Sequence, residues 1–402
     1  MPKILCISPY VPHPVTHGGS IRTRLLLDAL RSLGEVHLCA PVSNGQERAD
    51  AQYLAQALEV FAHELDARTD AYPGKLSKVA HWLRGEPDWL SRRWTPASKA
   101  TVLQLLRTYR FDLVVADGAH TLPLLPKFDA PFLFHMHNVE SAILARRPAE
   151  PMALRDRLTR RVEMLNTARI EKDFLRRASM SVTVSDLDRI GALRLCPDAR
   201  VVTVPNAVET ESLPSRHRPA AGPLRLLFVG RLDYPPNLEA VRELVERHLP
   251  VLRREFPGVI VRIVGEDSRG ATEGLRREGV EFLGRVSDLL PHYAASDAAY
   301  IPLRSGGGTR LKILEAFSIG LPVASTAVGA EGLAARDGVH FRQFETPDEG
   351  AQALRDLLGD KRDGFVNKAR ALVQSAHSRD AALTALRAAC VTAMGNATTA
   401  AR

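Results

Sequence analysis

Residues 305–333, SGGGTRLKILEAFSIGLPVASTAVGAEGL, join a glycine-rich loop to a helix and then to a short apolar strand. Gly306, Gly307 and Gly308 leave the backbone free to take positive φ and to approach a ligand closely. Thr309 is a fair N-cap, and RLKILEAFSIG is the helix it starts, closed by Gly320 and Pro322. At 100° per residue Ile313, Leu314 and Phe317 share one face, with Lys312 and Glu315 on the other. A glycine loop feeding a helix N-terminus favours anions, because unpaired N–H groups and the helix dipole both point there. Arg310 and Lys312 add positive charge, and Arg grips phosphate bidentately. Glu315 repels phosphate, so a ligand that satisfies all of these groups carries hydroxyls as well. The plainer alternative is a glycine turn before a surface helix with a Lys312–Glu315 pair.

The rest of the chain is consistent with a large α/β protein. It has 402 residues, 45% hydrophobic and 25% charged, enough for two domains. Its four cysteines, Cys6, Cys39, Cys196 and Cys390, show no metal-ligand or CxxC spacing and read as buried free thiols of a reducing compartment. MPKILCISPY lacks the apolar core of a signal peptide, and no apolar run reaches membrane-spanning length. The cytoplasm is therefore expected, including the inner face of a membrane. A net charge of +8 favours anionic partners.

KILCISP (3–9), a helix from Ser20 to Leu33 and EVHLCAP (35–41) make a βαβ unit. Its long connecting loop carries Gly18–Gly19 just before the helix and lacks GxGxxG, so a nicotinamide fingerprint is missing. Residues 50–110 read as mostly helical. Within them Trp82, Trp89 and Trp94 are interleaved with Arg84, Arg92 and Arg93, a composition that suits a membrane interface, a lipid-linked acceptor, a sugar face or helix packing. FDLVVADGAH (111–120) and PFLFHMHNVES (131–141) are strands ending in Asp117 and His120, and in His135, His137, Asn138 and Glu140. Carboxyl ends of parallel strands are where open α/β sheets bind ligands. No third ligand at helical or loop spacing accompanies these histidines, so no metal is assigned. Residues 145–177 are a basic helical stretch (Arg146, Arg147, Arg155, Arg157, Arg160, Arg161, Arg169, Arg176, Arg177). It is either a solvated face or a surface for an anionic membrane; no recognition motif supports nucleic acid. SMSVTVS (179–185) is a strand, and the DLD at 186–188, which mimics a metal-binding DxD, is read as the start of a helix.

After VVTVPNAVE (201–209) and a linker-like LPSRHRPAAGPL (213–224), a second βα series begins. LRLLFVG, VIVRIVGE, VEFLG, AAYIPL and PVASTAV are short apolar strands, and Asn237 to Phe256 is a long helix. Two doubly wound domains facing each other across a deep cleft are expected.

FVGRLDYPPN, VRIVGEDS, VEFLGRVSDLLPHYAASD and PLRSGGGTRLKILEAFSIGLPVASTAVGAEGL resemble the nucleotide-binding domain of group 1 (family 4) glycosyltransferases. The resemblance covers most of residues 201–345. The glycines at 18–19, MHN at 136–138 and VPNAVE at 204–209 resemble the family's first domain and hinge more loosely. It implies the GT-B fold, with two Rossmann-like domains. Residues 1–205 form the acceptor domain, with a helix of about 378–402 packing back onto it, and 206–377 the donor domain. It also implies retaining transfer from a nucleotide-sugar, UDP- or GDP-linked, to a glycan, lipid-linked or other hydroxyl acceptor in surface polysaccharide or exopolysaccharide assembly. By the same resemblance Glu315 binds the ribose hydroxyls and Arg231 neutralises the diphosphate. Gly18 and Gly19 approach the donor phosphate, His137 lies near the transferred sugar, and Arg285 and Val286 border the base.

Two departures stand out. Gly307 replaces the first glutamate of the family's E-x7-E motif, so backbone N–H groups of Gly306, Gly307, Gly308 and Thr309 are left to meet the donor sugar. The usual clamp lysine is missing, with Asn237 near its place, and Lys312 or Arg310 is the residue that can restore its charge. With cations holding the leaving diphosphate, neither a metal nor another cofactor is required. No carboxylate pair of the glycosidase kind stands out. A nucleotide-sugar epimerase of the same fold, which needs no acceptor, and a non-catalytic nucleotide-sugar binder, suggested by Gly307, are the rival readings.

Overall fold

The computed structural model of the protein describes residues 1–15, 18–64, 87, 96–146, 154–208, 222–307 and 310–400. Gly308 and Thr309 lie outside these residues, as do Trp82, Trp89, Trp94, Arg84, Arg92, Arg93 and Arg147. The chain divides into two compact units, Met1–Pro205 with Ala382–Arg402, and Asn206–Ala381. Among the described residues no helix is long and apolar enough to cross a membrane.

The first unit is built on a seven-stranded sheet, all of whose pairings are parallel. Its strands are β1 (Lys3–Ile7), β2 (Glu35–Val42), β3 (Glu59–Glu64), β4 (Leu113–Asp117), β5 (Phe132–His135), β6 (Met180–Thr183) and β7 (Val201–Thr203). They lie in the order β3-β2-β1-β4-β5-β6-β7. A parallel sheet covered on both faces needs continuous apolar strands. KILCI and LVVAD supply them, with Leu5, Ile7, Val114 and Ala116 fully buried in one core with Phe134. The register places Asp117, the last residue of β4, opposite His135, the last of β5.

Two expectations are corrected in this unit. The stretch read as mostly helical contains β3, a strand of six residues that, among the described residues, pairs with β2 alone and lies at the sheet edge. An edge strand is buried on fewer sides, so EVFAHE lacks the apolar run that marks its central neighbours. The first helix is Gly18–Arg31, so both glycines form its first turn instead of preceding it. First-turn N–H groups have no intrahelical partner, so glycine costs little there. The DLD segment forms the first turn of the Asp186–Leu195 helix, as expected, and Ser185 caps that helix by accepting from the Asp188 N–H.

The second unit carries a six-stranded parallel sheet of β8 (Arg225–Val229), β9 (Ile260–Val264), β10 (Val280–Gly284), β11 (Ala298–Ile301), β12 (Val323–Ser325) and β13 (Arg342–Gln343), ordered β10-β9-β8-β11-β12-β13. The Leu311–Ile319 helix buries Ile313, Leu314 and Phe317, leaves Lys312 and Glu315 partly exposed, and ends at Gly320 with φ 82°. The long helix begins at Pro235 and reaches Glu255 through a π turn at Leu244–His248.

Candidate functional site

The candidate donor groups gather at the carboxyl end of β8 in the second unit. Gly230 directly follows that strand and its N–H donates to the Val264 carbonyl at 2.9 Å, and Arg231 comes next with an exposed side chain. Pro235 and Pro236 start the next helix, and Asn237, in its first turn, bridges two neighbours. Its Nδ2 donates to the Arg231 carbonyl at 2.8 Å, and its Oδ1 accepts from Lys312 Nζ at 2.9 Å. The Lys312 amine lies 4.3 Å from the centre of the Phe228 ring. A Cβ on Gly230 would stand 2.8 Å from that amine, so the glycine makes room for the lysine at the strand tip. Burial foremost, then the Arg310 guanidinium, pull Lys312 down to about 7, against the opposing carboxylate of Glu315. Lys312 and Glu315 therefore do not form the surface pair that the sequence allows. Glu315 accepts from the Tyr293 hydroxyl at 2.7 Å, and burial pushes its carboxyl up while Tyr293 and Lys312 draw it down.

Arg310 needs correcting as a source of phosphate charge. Its side chain is buried, and its guanidinium donates to the carbonyls of Gly307 at 2.6 Å, Gly306 at 3.1 Å and Val328 at 3.2 Å. It holds the described part of the glycine loop, where Gly306 sits at φ 115°, against the segment after β12. Arg310 also occupies the cap position that Thr309 was expected to fill, without a side-chain cap bond. Arg285 and Val286 directly follow β10, two strands from β8, with Arg285 exposed and Val286 half-buried.

In the first unit the helix begun by Gly18 and Gly19 carries Arg22 and Thr23 to the strand tips. Arg22 Nε donates to His135 Nε2 at 2.8 Å, so His135 turns its Nδ1–H toward Asp117 Oδ1 at 2.7 Å. The same Asp117 oxygen lies 2.7 Å from His137 Nε2, and the other accepts from Thr23 at 2.5 Å. Burial opposes the charge on Asp117, yet His137 and His135 beside it hold its carboxyl well below the usual range. Burial, then Arg22, lower His135 to about 4 against the pull of Asp117. His137 is the outer member, with 21% of its side chain exposed. The ligand atoms of Asp117, His135 and His137 lie within 4.8 Å of one another, a third metal-capable group that spacing along the chain did not supply. Two of its atoms already hydrogen-bond each other and Arg22 holds His135 Nε2, which leaves a cation competing with a guanidinium. Asp117 ends one strand and the histidines follow the next, so only the β4–β5 register reveals the grouping. Sequence reasoning also misses Asn237 as a bridge and Tyr293 as partner of Glu315, and each acts on a residue distant in sequence.

Residues 223–360 match the family model described as glycosyl transferases group 1, and residues 17–212 match that of glycosyltransferase family 4. The chain belongs to the group 1, family 4-type glycosyltransferases. This glycosyltransferase is 22% identical over 359 residues, 84% of its length and 86% of the relative's, to an uncharacterised 44.6 kDa protein in the cps region of Klebsiella pneumoniae. It is 28% identical to the glycogen synthase of Mycobacterium tuberculosis over 277 residues, 63% of this chain and 62% of that one. In structure it is similar to Anabaena HepE in complex with UDP and glucose, with TM-score 0.63 and 16% identity over 96% of this chain and 98% of that one. Sucrose-phosphate synthase from Thermosynechococcus elongatus gives TM-score 0.68 and 17% identity over 96% and 97%. The two parallel-sheet α/β units are thus those of a GT-B enzyme.

Proposed function

We propose that this glycosyltransferase moves a sugar, with retained anomeric configuration, from a UDP- or GDP-sugar to a hydroxyl of a glycan or lipid-linked acceptor in surface polysaccharide assembly. The reading rests above all on Arg231 and Lys312, two basic residues brought to one strand tip beside the Gly306–Gly307 loop by Asn237, which bonds the Arg231 carbonyl and the Lys312 amine. A nucleoside diphosphate is the leaving group, and its developing charge is what a transferase must stabilise. Arg231 and Lys312 hold the diphosphate in place of a divalent metal. Glu315 accepts from the ribose hydroxyls, and Arg285 and Val286 border the base. The donor sugar is met by backbone N–H groups of Gly306 and Gly307, with Gly308 and Thr309 assigned to the same role from the sequence, and Arg310 holds the Gly306 and Gly307 carbonyls. In the first unit, the acceptor domain, Gly18 and Gly19 serve the donor phosphate and His137 the transferred sugar. The sugar's new bond forms on the face the diphosphate leaves.

The Anabaena structure in complex with UDP and glucose supports a uridine donor, and the cps-region relative supports the polysaccharide role. Cytoplasmic work at the inner face of the membrane suits the Leu154–Arg177 helix, where Arg157, Arg161 and Arg169 are exposed beside Leu158 and Leu165. Thermal stabilisation by UDP-, GDP- and ADP-sugars tests the donor site directly. A clear shift with one of them, unaltered by a chelator, is expected; no shift with any would refute the reading. Anomeric NMR of the product decides retention, and sedimentation with phosphatidylglycerol against phosphatidylcholine vesicles decides membrane contact.

A further inference from the structure

The Lys312 amine can donate three hydrogen bonds when charged, and among the described residues it has one acceptor, Asn237 Oδ1. Its other neighbour is the Phe228 ring, and a Gly230 Cβ would crowd it at 2.8 Å. From β8 it is faced by an aromatic ring, and from the Pro235–Glu243 helix by a neutral amide. Its own helix and cap bring Arg310, whose guanidinium is bound to carbonyls, and Glu315, whose carboxylate is bound by Tyr293 from the Leu290–Ala294 helix. Arg231, next along from Gly230, contributes its carbonyl to Asn237 and leaves its guanidinium exposed. Among the described residues no carboxylate hydrogen-bonds this amine, and Glu315 favours its charge only through space.

We propose that Asn237 is a positioning residue that fixes the Lys312 amine in a site that leaves it largely neutral, and that a bound diphosphate charges this amine by drawing one proton from solvent. This rests on the donor site proposed above and goes further, because it makes donor binding consume a proton. The only bond formed is N–H, and the proton comes from water or buffer. The amide is suited to this role because its oxygen accepts from –NH2 or –NH3⁺ alike, whereas a carboxylate there would hold the amine charged before any ligand arrives. The amine's depressed affinity for protons, from burial and Arg310, agrees with this placement. A diphosphate supplies the missing counter-charge and reverses the effect. Affinity for the nucleotide should then fall by about tenfold per pH unit above about pH 7 until the bound amine itself loses its proton.

Calorimetric titration of the full chain with UDP, GDP and ADP at pH 8, in HEPES and in Tris, measures proton uptake from the difference in heat. At that pH the nucleotide's own phosphates are fully ionised and contribute no uptake. Wild type is expected to take up about one proton per nucleotide bound. Lys312→Arg, permanently charged, and Asn237→Asp, which pairs the amine in advance, should take up almost none. Binding without proton uptake by wild type overturns the proposal and leaves the donor site standing, as does undiminished uptake by Lys312→Arg. If none of the three nucleotides binds, the donor-site reading fails and this inference with it. The wild-type comparison in two buffers decides the matter even if a variant does not fold.

Discussion

The Tyr293 hydroxyl donates to Glu315 Oε2 at 2.7 Å, and the ring behind it is almost completely buried. A carboxylate offered to ribose hydroxyls must be held ionised and aimed, and burial works against the first. Tyr293→Phe keeps the ring and removes the donor. Donor-nucleotide affinity should weaken about five- to tenfold, roughly the 1–1.5 kcal/mol of one hydrogen bond. Calorimetry with the nucleotide found in the screen measures it, and an unchanged Kd would remove Tyr293 from the account of Glu315.

Arg231→Ala and Lys312→Ala address the leaving group. In the proposed function each deletes one group that, with donor bound, stabilises charge developing on the diphosphate, an effect of about a hundred- to a thousandfold in kcat. Arg231 is exposed and Lys312 partly so, and the melting temperature should therefore stay close to wild type. Steady-state kinetics beside a thermal melt separate the two effects. Near wild-type turnover in either variant would end the clamp assignment.

The Arg22–His135–Asp117 chain predicts an acid sensitivity. His135 is held near 4 in the folded protein, against about 6.5 in an unfolded chain. Between those values the unfolded chain binds more protons, so stability falls as pH drops through the window and is fully kept above it. The loss amounts to about 3 kcal/mol at the lower end. His248, also lowered to about 4 by burial, acts in the same direction in the second unit. His135→Gln should flatten the slope of urea-unfolding free energy between pH 4.5 and 6.5 without abolishing it. An unaltered slope would mean that His135 titrates normally.

What could be read from the sequence follows from how local each signal is. LRLLFVG and KILCISP announce buried parallel strands because every residue must be apolar, and Gly320 announces a helix end because it takes a left-handed φ of 82°. β3 escapes such reading because an edge strand carries a weaker pattern. Arg310 misleads because a charged residue beside a glycine loop looks like a ligand for phosphate, while its actual partners are carbonyls, which leave no mark in sequence. Asn237 reads only as the place where a lysine is missing; its use as a bridge needs the 75-residue separation to Lys312 closed by the fold.

Two glycines at neighbouring strand ends predict opposite outcomes from the same substitution. A Cβ on Gly230 would meet the Asn237 side-chain amide and the Lys312 amine, each at 2.8 Å. Both are ends of side chains, so Gly230→Ala should leave the fold intact and displace the amine. Nucleotide affinity and turnover then fall together while the melting temperature barely moves. A Cβ on Gly265, just after the neighbouring β9, would meet the Gly230 carbonyl oxygen at 1.9 Å, and a backbone so held cannot step aside. Gly265→Ala should cost several kcal/mol of stability, enough to lower the melting temperature by about 10 °C in a chain of this size. Paired thermal melts and nucleotide titrations of the two variants make the comparison. A Gly230→Ala protein that melts early, or binds as tightly as wild type, would show that this glycine does not make room for Lys312.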